Sequence, residues 1–425
     1  MNAAAMWSLM SLKRLPVGSN QKGRLRGRGL RILGMAIYLI AMAGIVYGCA
    51  PAVDRFVGWL LPVSPWPPVA LNNLPLYEET FQSYDFEWVH RTNSLGLRGN
   101  EIPPKQADVF RILAIGDSYV YGWGVNQEDT WCERLERLFR DAGRRVEVIN
   151  GGMLGNGPVE YAMRAEYLIP ALRPDLTLVC ILQGSDIVET PVDMSRLPNL
   201  GVLAKNWKFR TPRPIPTTVN RMTRETKRMY SIQFAESEFR QMTDDQRRRF
   251  DRLDDVVKQH YFKGSFNAGM IAGALKWPGW YVELTQRDPH STQHRTQTLA
   301  AMLLRIRRIA DRYAGRVFTV IMPEGPFVNR AAIANWGRLG FDMSPLLYGN
   351  EETERIIRSS SEKAGIGVFD LAPAFRENGD KPELFFVLDT HMAPPGHVLV
   401  AQTLHMFLSA DAAVRALPGG MPNVR

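Results

Sequence analysis

The chain has 425 residues, 45% apolar and 22% charged, a globular balance that excludes disorder over most of its length. Three cysteines are too few for a disulfide scaffold and lack zinc-site spacing. The formal charge of +9 does not mark a nucleic-acid binder. Residues 1–31 hold seven bases (Lys13, Arg14, Lys22, Arg24, Arg26, Arg28, Arg31) and no acid, so the remaining 394 residues carry only +2.

That basic tail runs into residues 32–53, which carry no charge until Asp54. At about 1.5 Å per residue, a helix of this length crosses about 30 Å of hydrocarbon. Bases before the span and few charges after it predict a single-pass anchor with a cytoplasmic tail. The rest of the chain is then expected on the far side of a bacterial inner membrane, in the periplasm. A cleaved leader and a lipid-modified Cys49 are the alternatives. Residues 54–109 read as a juxtamembrane and lead-in segment; five prolines within 56–76 exclude a second span.

The body alternates apolar runs with helical periodicity. Strands are predicted at 109–116, 146–150, 176–182, 316–323 and 367–371, and helices at 128–142, 162–172, 296–313, 350–363 and 396–408. Fully apolar strands separated by helices predict a parallel sheet covered on both faces. The stretch 187–295 is too long for one crossover and reads as an inserted, mainly helical subdomain. It would divide the domain into 110–186 and 296–410, with 411–425 as a tail. A basic run at 205–228 reads as a solvated face. Trp277, Trp280 and Tyr281 read either as packing or as a surface for a sugar ring. Cys132 and Cys180 read as core residues, and His397 as structural.

Chemistry concentrates at two places. AIGDSYVYGWGV (114–125) ends the first strand and turns sharply, which exposes Ser118 at a strand's carboxyl end beside helix-start amides, as a nucleophile requires. Asp117 reads as a turn residue. Far along the chain, LDTHMAPPGH (388–397) sets Asp389 and His391 two residues apart. On an extended loop they point the same way, so Asp389 can orient the His391 ring to take the Ser118 proton.

In this order, four blocks resemble the SGNH/GDSL hydrolase superfamily, of serine esterase and O-acetyltransferase type, over residues 110–408 without the insertion. They are Gly116-Asp117-Ser118; Asn150 with Gly155; Gly184-Ser185-Asp186; and Asp389 with His391. The resemblance implies a flavodoxin-like three-layer α/β/α sandwich on a parallel five-stranded sheet. It assigns Ser118 as nucleophile, His391 as base and Asp389 as its partner, with an oxyanion hole from Ser118, Gly155 and Ser185. No cofactor and no metal are implied. The expected activity is hydrolysis of carboxylic, chiefly acetyl, esters of an envelope glycan or lipid by a membrane-anchored extracytoplasmic enzyme. The alternatives are an O-acetyltransferase with the same triad, fed by a membrane acyl-donor protein, and a non-catalytic scaffold. Nucleic acid is not an expected partner. The chain departs from the family at two points. Ser185 stands where an asparagine is usual, and Asp389 lies two rather than three residues before the histidine.

Overall fold

The computed structural model describes residues 76–190, 224–266, 268–285 and 288–411. The described chain opens with an antiparallel hairpin, β1 (Glu78–Gln82) and β2 (Glu87–Arg91). Five further strands follow: β3 (Phe110–Ile115), β4 (Val146–Asn150), β5 (Leu176–Leu182), β6 (Arg316–Met322) and β7 (Gly367–Asp370). They form one parallel sheet in the order β4-β3-β5-β6-β7.

Every residue of β3 and of β5 is buried. Each fully buried Leu, Ile or Val contributes about 1.5–3 kcal/mol, so these runs have one stable place, at the centre of a covered sheet. Arg111 interrupts the apolar run of β3, but its guanidinium meets Glu147 at 2.6 Å and the carbonyls of Leu172 and Pro103 at 2.8 and 2.7 Å. A buried cation so paired is tolerated.

Crossover connections, which in parallel sheets run right-handed, set the layers. After β3 the chain passes through α1 (Ser118–Tyr121) and α2 (Trp131–Asp141) to the sheet edge at β4. It then returns by α3 (Pro158–Leu172) to β5, which is followed by α4 (Ser185–Glu189). This reversal between β3 and β5 opens a crevice at their carboxyl ends, where ligands bind in such sheets.

Next come α5 (Arg224–Gln241), α6 (Asp244–Asp251), α7 (Asp255–Phe262), α8 (Ala268–Lys276) and α9 (Val282–Thr285). Phe250, Val257, Tyr261, Ile271 and Leu275 form a separate small core here, together with Leu388. The helical segment thus packs against the residue preceding Asp389. The chain rejoins the sheet through α10 (Pro289–Arg312) before β6. After β6 come α11 (Gly325–Val328), α12 (Arg330–Arg338) and α13 (Glu352–Ala364). After β7, α14 (Ala372–Glu377) and α15 (Pro394–Ala410) close the chain. Helices α3, α10 and α13 pack together, whereas α15 packs on α2, giving three layers.

The membrane expectation is corrected. Among the described residues no helix is long and apolar enough to cross a membrane. The longest, the 24-residue α10, buries one face and carries Arg295, Arg305, Arg307, Arg308, Asp311 and Arg312. The expected span 32–53 and the tail 1–31 lie outside the described residues, as do 205–223 and 412–425. No described helix supports the anchor, the bilayer and acyl-donor partners, or the inner-membrane and periplasmic placement.

Candidate active site

The turn after β3 is built by local hydrogen bonds. Asp117 caps α1, its Oδ1 accepting from the Tyr119 amide at 2.9 Å. Gly122 ends the helix with a left-handed backbone (φ 81°), and its amide donates to the Ser118 carbonyl at 2.8 Å. On the neighbouring loop, a Cβ at Gly152 would collide with the Tyr121 backbone, so only glycine lets the two turns pack so closely. Ser118 is thereby held at the sheet's carboxyl edge, half-buried.

The loop before α15 comes to meet it. His391 Nε2 lies 2.8 Å from Ser118 Oγ, and His391 Nδ1 lies 2.5 Å from Asp389 Oδ1. The same carboxylate oxygen accepts the His391 amide at 3.1 Å, which fixes the two-residue spacing as a tight turn. Tyr119 OH donates to the Thr390 carbonyl at 2.5 Å and ties this loop to the nucleophile turn. Burial alone would lower the His391 pKa. The Asp389 charge and hydrogen bond, with Asp117 and Glu324 adding to them, raise it above the usual histidine value.

Gly155 and Ser185 have different surroundings. Gly155 is exposed on the loop after β4, with a left-handed backbone (φ 67°). Ser185 starts α4, after β5. Its hydroxyl donates to Glu324 Oε1 and its amide to Glu324 Oε2, both at 2.9 Å. Asp186, the last residue of that block, is buried and accepts from the Leu182 amide at 2.7 Å and from Tyr161 OH. It braces the loop and faces away from solvent.

Sequence reasoning missed three residues. Glu324 follows β6 directly and is 2% exposed. Burial raises its pKa, against the hydrogen bonds from Ser185, Tyr281 and the Gly184 amide. A carboxylate at the carboxyl end of a strand was the available signal. Trp123 lies inside the 114–125 stretch itself, and its Nε1 donates to Asp389 Oδ2 at 3.2 Å. Asp85, in the β1–β2 turn, accepts the Leu388 amide at 2.7 Å.

The aromatic trio of the insertion divides. Tyr281 is buried and donates to Glu324 Oε1 at 2.9 Å, whereas Trp277 is exposed beneath Lys276. Asp117 is buried and its carboxyl is pushed up to about 7 by desolvation. Cys132 and Cys180 are buried free thiols whose pKa values burial raises. His397 is buried, its Nδ1 accepting from the Trp131 amide at 3.3 Å.

No family model matches the chain, and no curated protein matches it. Among solved structures it is similar to a catalytic mutant of an acetylxylan esterase from Geobacillus stearothermophilus, at 12% identity and a TM-score of 0.36, over 71% of this chain and 95% of that one. A psychrotrophic esterase from Pseudoalteromonas is similar at 10% identity and a TM-score of 0.35, over 70% and 96%. A member of the lipolytic G-D-S-L family from Veillonella parvula is similar at 12% and 0.35, over 71% and 100%. These likenesses, all under 25% identity and with TM-scores below 0.5, carry nothing about this chain's family, activity or substrate.

Proposed function

We propose that the protein is a serine hydrolase that cleaves carboxylic esters, with small acyl groups such as acetyl as the first class to test. One observation carries this reading: the continuous line from Ser118 Oγ through both His391 ring nitrogens to Asp389. Such a line is what activates an otherwise weak hydroxyl nucleophile.

In this reading, Ser118 Oγ attacks the ester carbonyl while its proton passes to His391 Nε2. Asp389 holds the ring with Nδ1 protonated and stabilises the imidazolium that forms. The proton then goes to the leaving alkoxide, and an acyl-serine remains. Water, deprotonated by the same nitrogen, attacks the acyl-serine and releases the acid. The Ser118 and Gly155 amides are assigned to the oxyanion. The elevated His391 pKa makes it a stronger base, at the cost of a protonated, inactive fraction near neutral pH.

The test is turnover of a p-nitrophenyl acetate substrate by the full chain and by Ser118→Ala. Loss of at least about a thousandfold in kcat supports the reading, since the nucleophile is the one group for which no neighbour substitutes. Equal turnover in the two chains contradicts it.

A further inference from the structure

We propose that Glu324 is a positioning residue that sets the direction of the Ser185 hydroxyl and so adds or withdraws a third oxyanion donor. The inference rests on the ester-hydrolase reading above and names a control element within that site.

A serine hydroxyl has one hydrogen, and an ionised carboxylate only accepts. With Glu324 ionised, the Ser185 hydrogen points at Oε1, as the 2.9 Å contact has it. With Glu324 protonated, the acid O–H donates to Ser185 Oγ, and the hydrogen of half-buried Ser185 is released from Oε1 to serve an oxyanion. Tyr281 OH keeps its bond to Oε1 in both states, using the other lone pair. The Ser185 amide remains on Oε2 in both, so the backbone need not move. Gly184 leaves room for this arrangement, since any Cβ there would collide with the carboxylate.

The titratable groups facing Glu324 come from three elements. Tyr281 comes from the segment before α9, Asp117 and Tyr119 from the nucleophile turn, and His391 from the loop before α15. Charge on Asp117 disfavours charge on Glu324, whereas protonated His391 favours it. Because its pKa is raised by burial, Glu324 holds its proton at higher pH than an exposed glutamate. The sign follows. The third donor is present on the acid side and is withdrawn as pH rises through the Glu324 pKa. Asp117 also titrates, so variants and not the wild-type profile alone must assign the effect.

The experiment measures kcat/KM for an acetyl ester from pH 5 to 9 on the full chain, with Glu324→Gln, Ser185→Ala, both together, and Ser118→Ala. In wild type, a fall through the Glu324 ionisation is expected superimposed on the rise that His391 deprotonation produces. One oxyanion donor contributes about a hundredfold to a thousandfold, and the upper figure caps that fall. In Glu324→Gln the amide Nε2 donates to Ser185 Oγ at every pH, so the fall disappears and the acid-side rate is kept. In Ser185→Ala the fall disappears at the lower rate, and adding Glu324→Gln changes nothing further. A fall of undiminished size that survives in Ser185→Ala overturns the proposal, because it then does not run through the Ser185 hydroxyl. Should Glu324→Gln fail to fold, the Ser185→Ala profile still decides. If Ser118→Ala matches wild type, the hydrolase reading fails instead.

Discussion

Trp123 Nε1 donates to the Asp389 carboxylate oxygen that His391 leaves free, at 3.2 Å. The indole is itself held by the N-terminal hairpin: Phe81, Phe86 and Trp88 surround it with ring centroids 5.5–6.1 Å away. From the same hairpin, Asp85 holds the Leu388 amide at 2.7 Å. The lead-in segment, remote from the triad in sequence, therefore orients its acid from two sides.

Replacing Trp123 with Phe should preserve the aromatic cluster and remove only the donor. A hydrogen bond to a charged group contributes about 1.5–3 kcal/mol, so kcat should fall at least about tenfold. The melting temperature should change little. Unchanged kcat in a folded Trp123→Phe chain would show that Asp389 does not need this partner.

Arg98 is 2% exposed and donates to the carbonyls of Tyr121, Gly122 and Val125, just after the nucleophile turn. It also lies over the Trp88 ring at 4.5 Å. Arg98→Met leaves three buried carbonyls without that donor, and a loss of at least about 3 kcal/mol is expected by denaturant unfolding. Lysine should not rescue it, since an ammonium lacks the planar fork that reaches three acceptors. A midpoint within error of wild type for Arg98→Met would contradict this role.

Burial lowers the pKa of His397 to about 3, against about 6.5 in the unfolded chain. Between those values the unfolded state binds the extra proton, so stability from this group is full above about 6.5 and falls as pH drops. Two pH units below 6.5, the loss is about 3 kcal/mol. Asp117 and Glu324 act in the opposite sense, because their raised pKa values favour the folded state as they protonate. The check is therefore a difference. Urea unfolding at pH 7 and 4.5 should show wild type losing about 3 kcal/mol more than His397→Asn. Equal losses would mean that His397 is protonated in the fold.

How much of this is legible in sequence depends on whether the determinant is local. β5 is legible because Leu176–Leu182 is apolar but for Thr177, a run that admits only a covered strand, and all seven residues are buried. Ser118, Asp389 and His391 are legible because each sits in a short, chemically distinctive block. The hairpin is not: residues 54–109 read only as a juxtamembrane and lead-in segment, and pairing of Glu78–Gln82 with Glu87–Arg91 is what makes strands there. The diversion of the Ser185 hydroxyl is not legible either, because its acceptor lies 139 residues away, beyond the whole helical insertion. The expectation of an anchored chain drew on residues 1–55, outside those described, and no described helix supports it.

The most direct test of the central claim is intact-mass analysis after treatment with a fluorophosphonate, which phosphonylates a serine only where a neighbouring base activates it. One adduct per chain, mapped to the peptide bearing Ser118 and absent from both Ser118→Ala and His391→Ala, is the predicted result. A folded wild-type chain that stays unlabelled, or that is labelled elsewhere while Ser118 remains free, would contradict it.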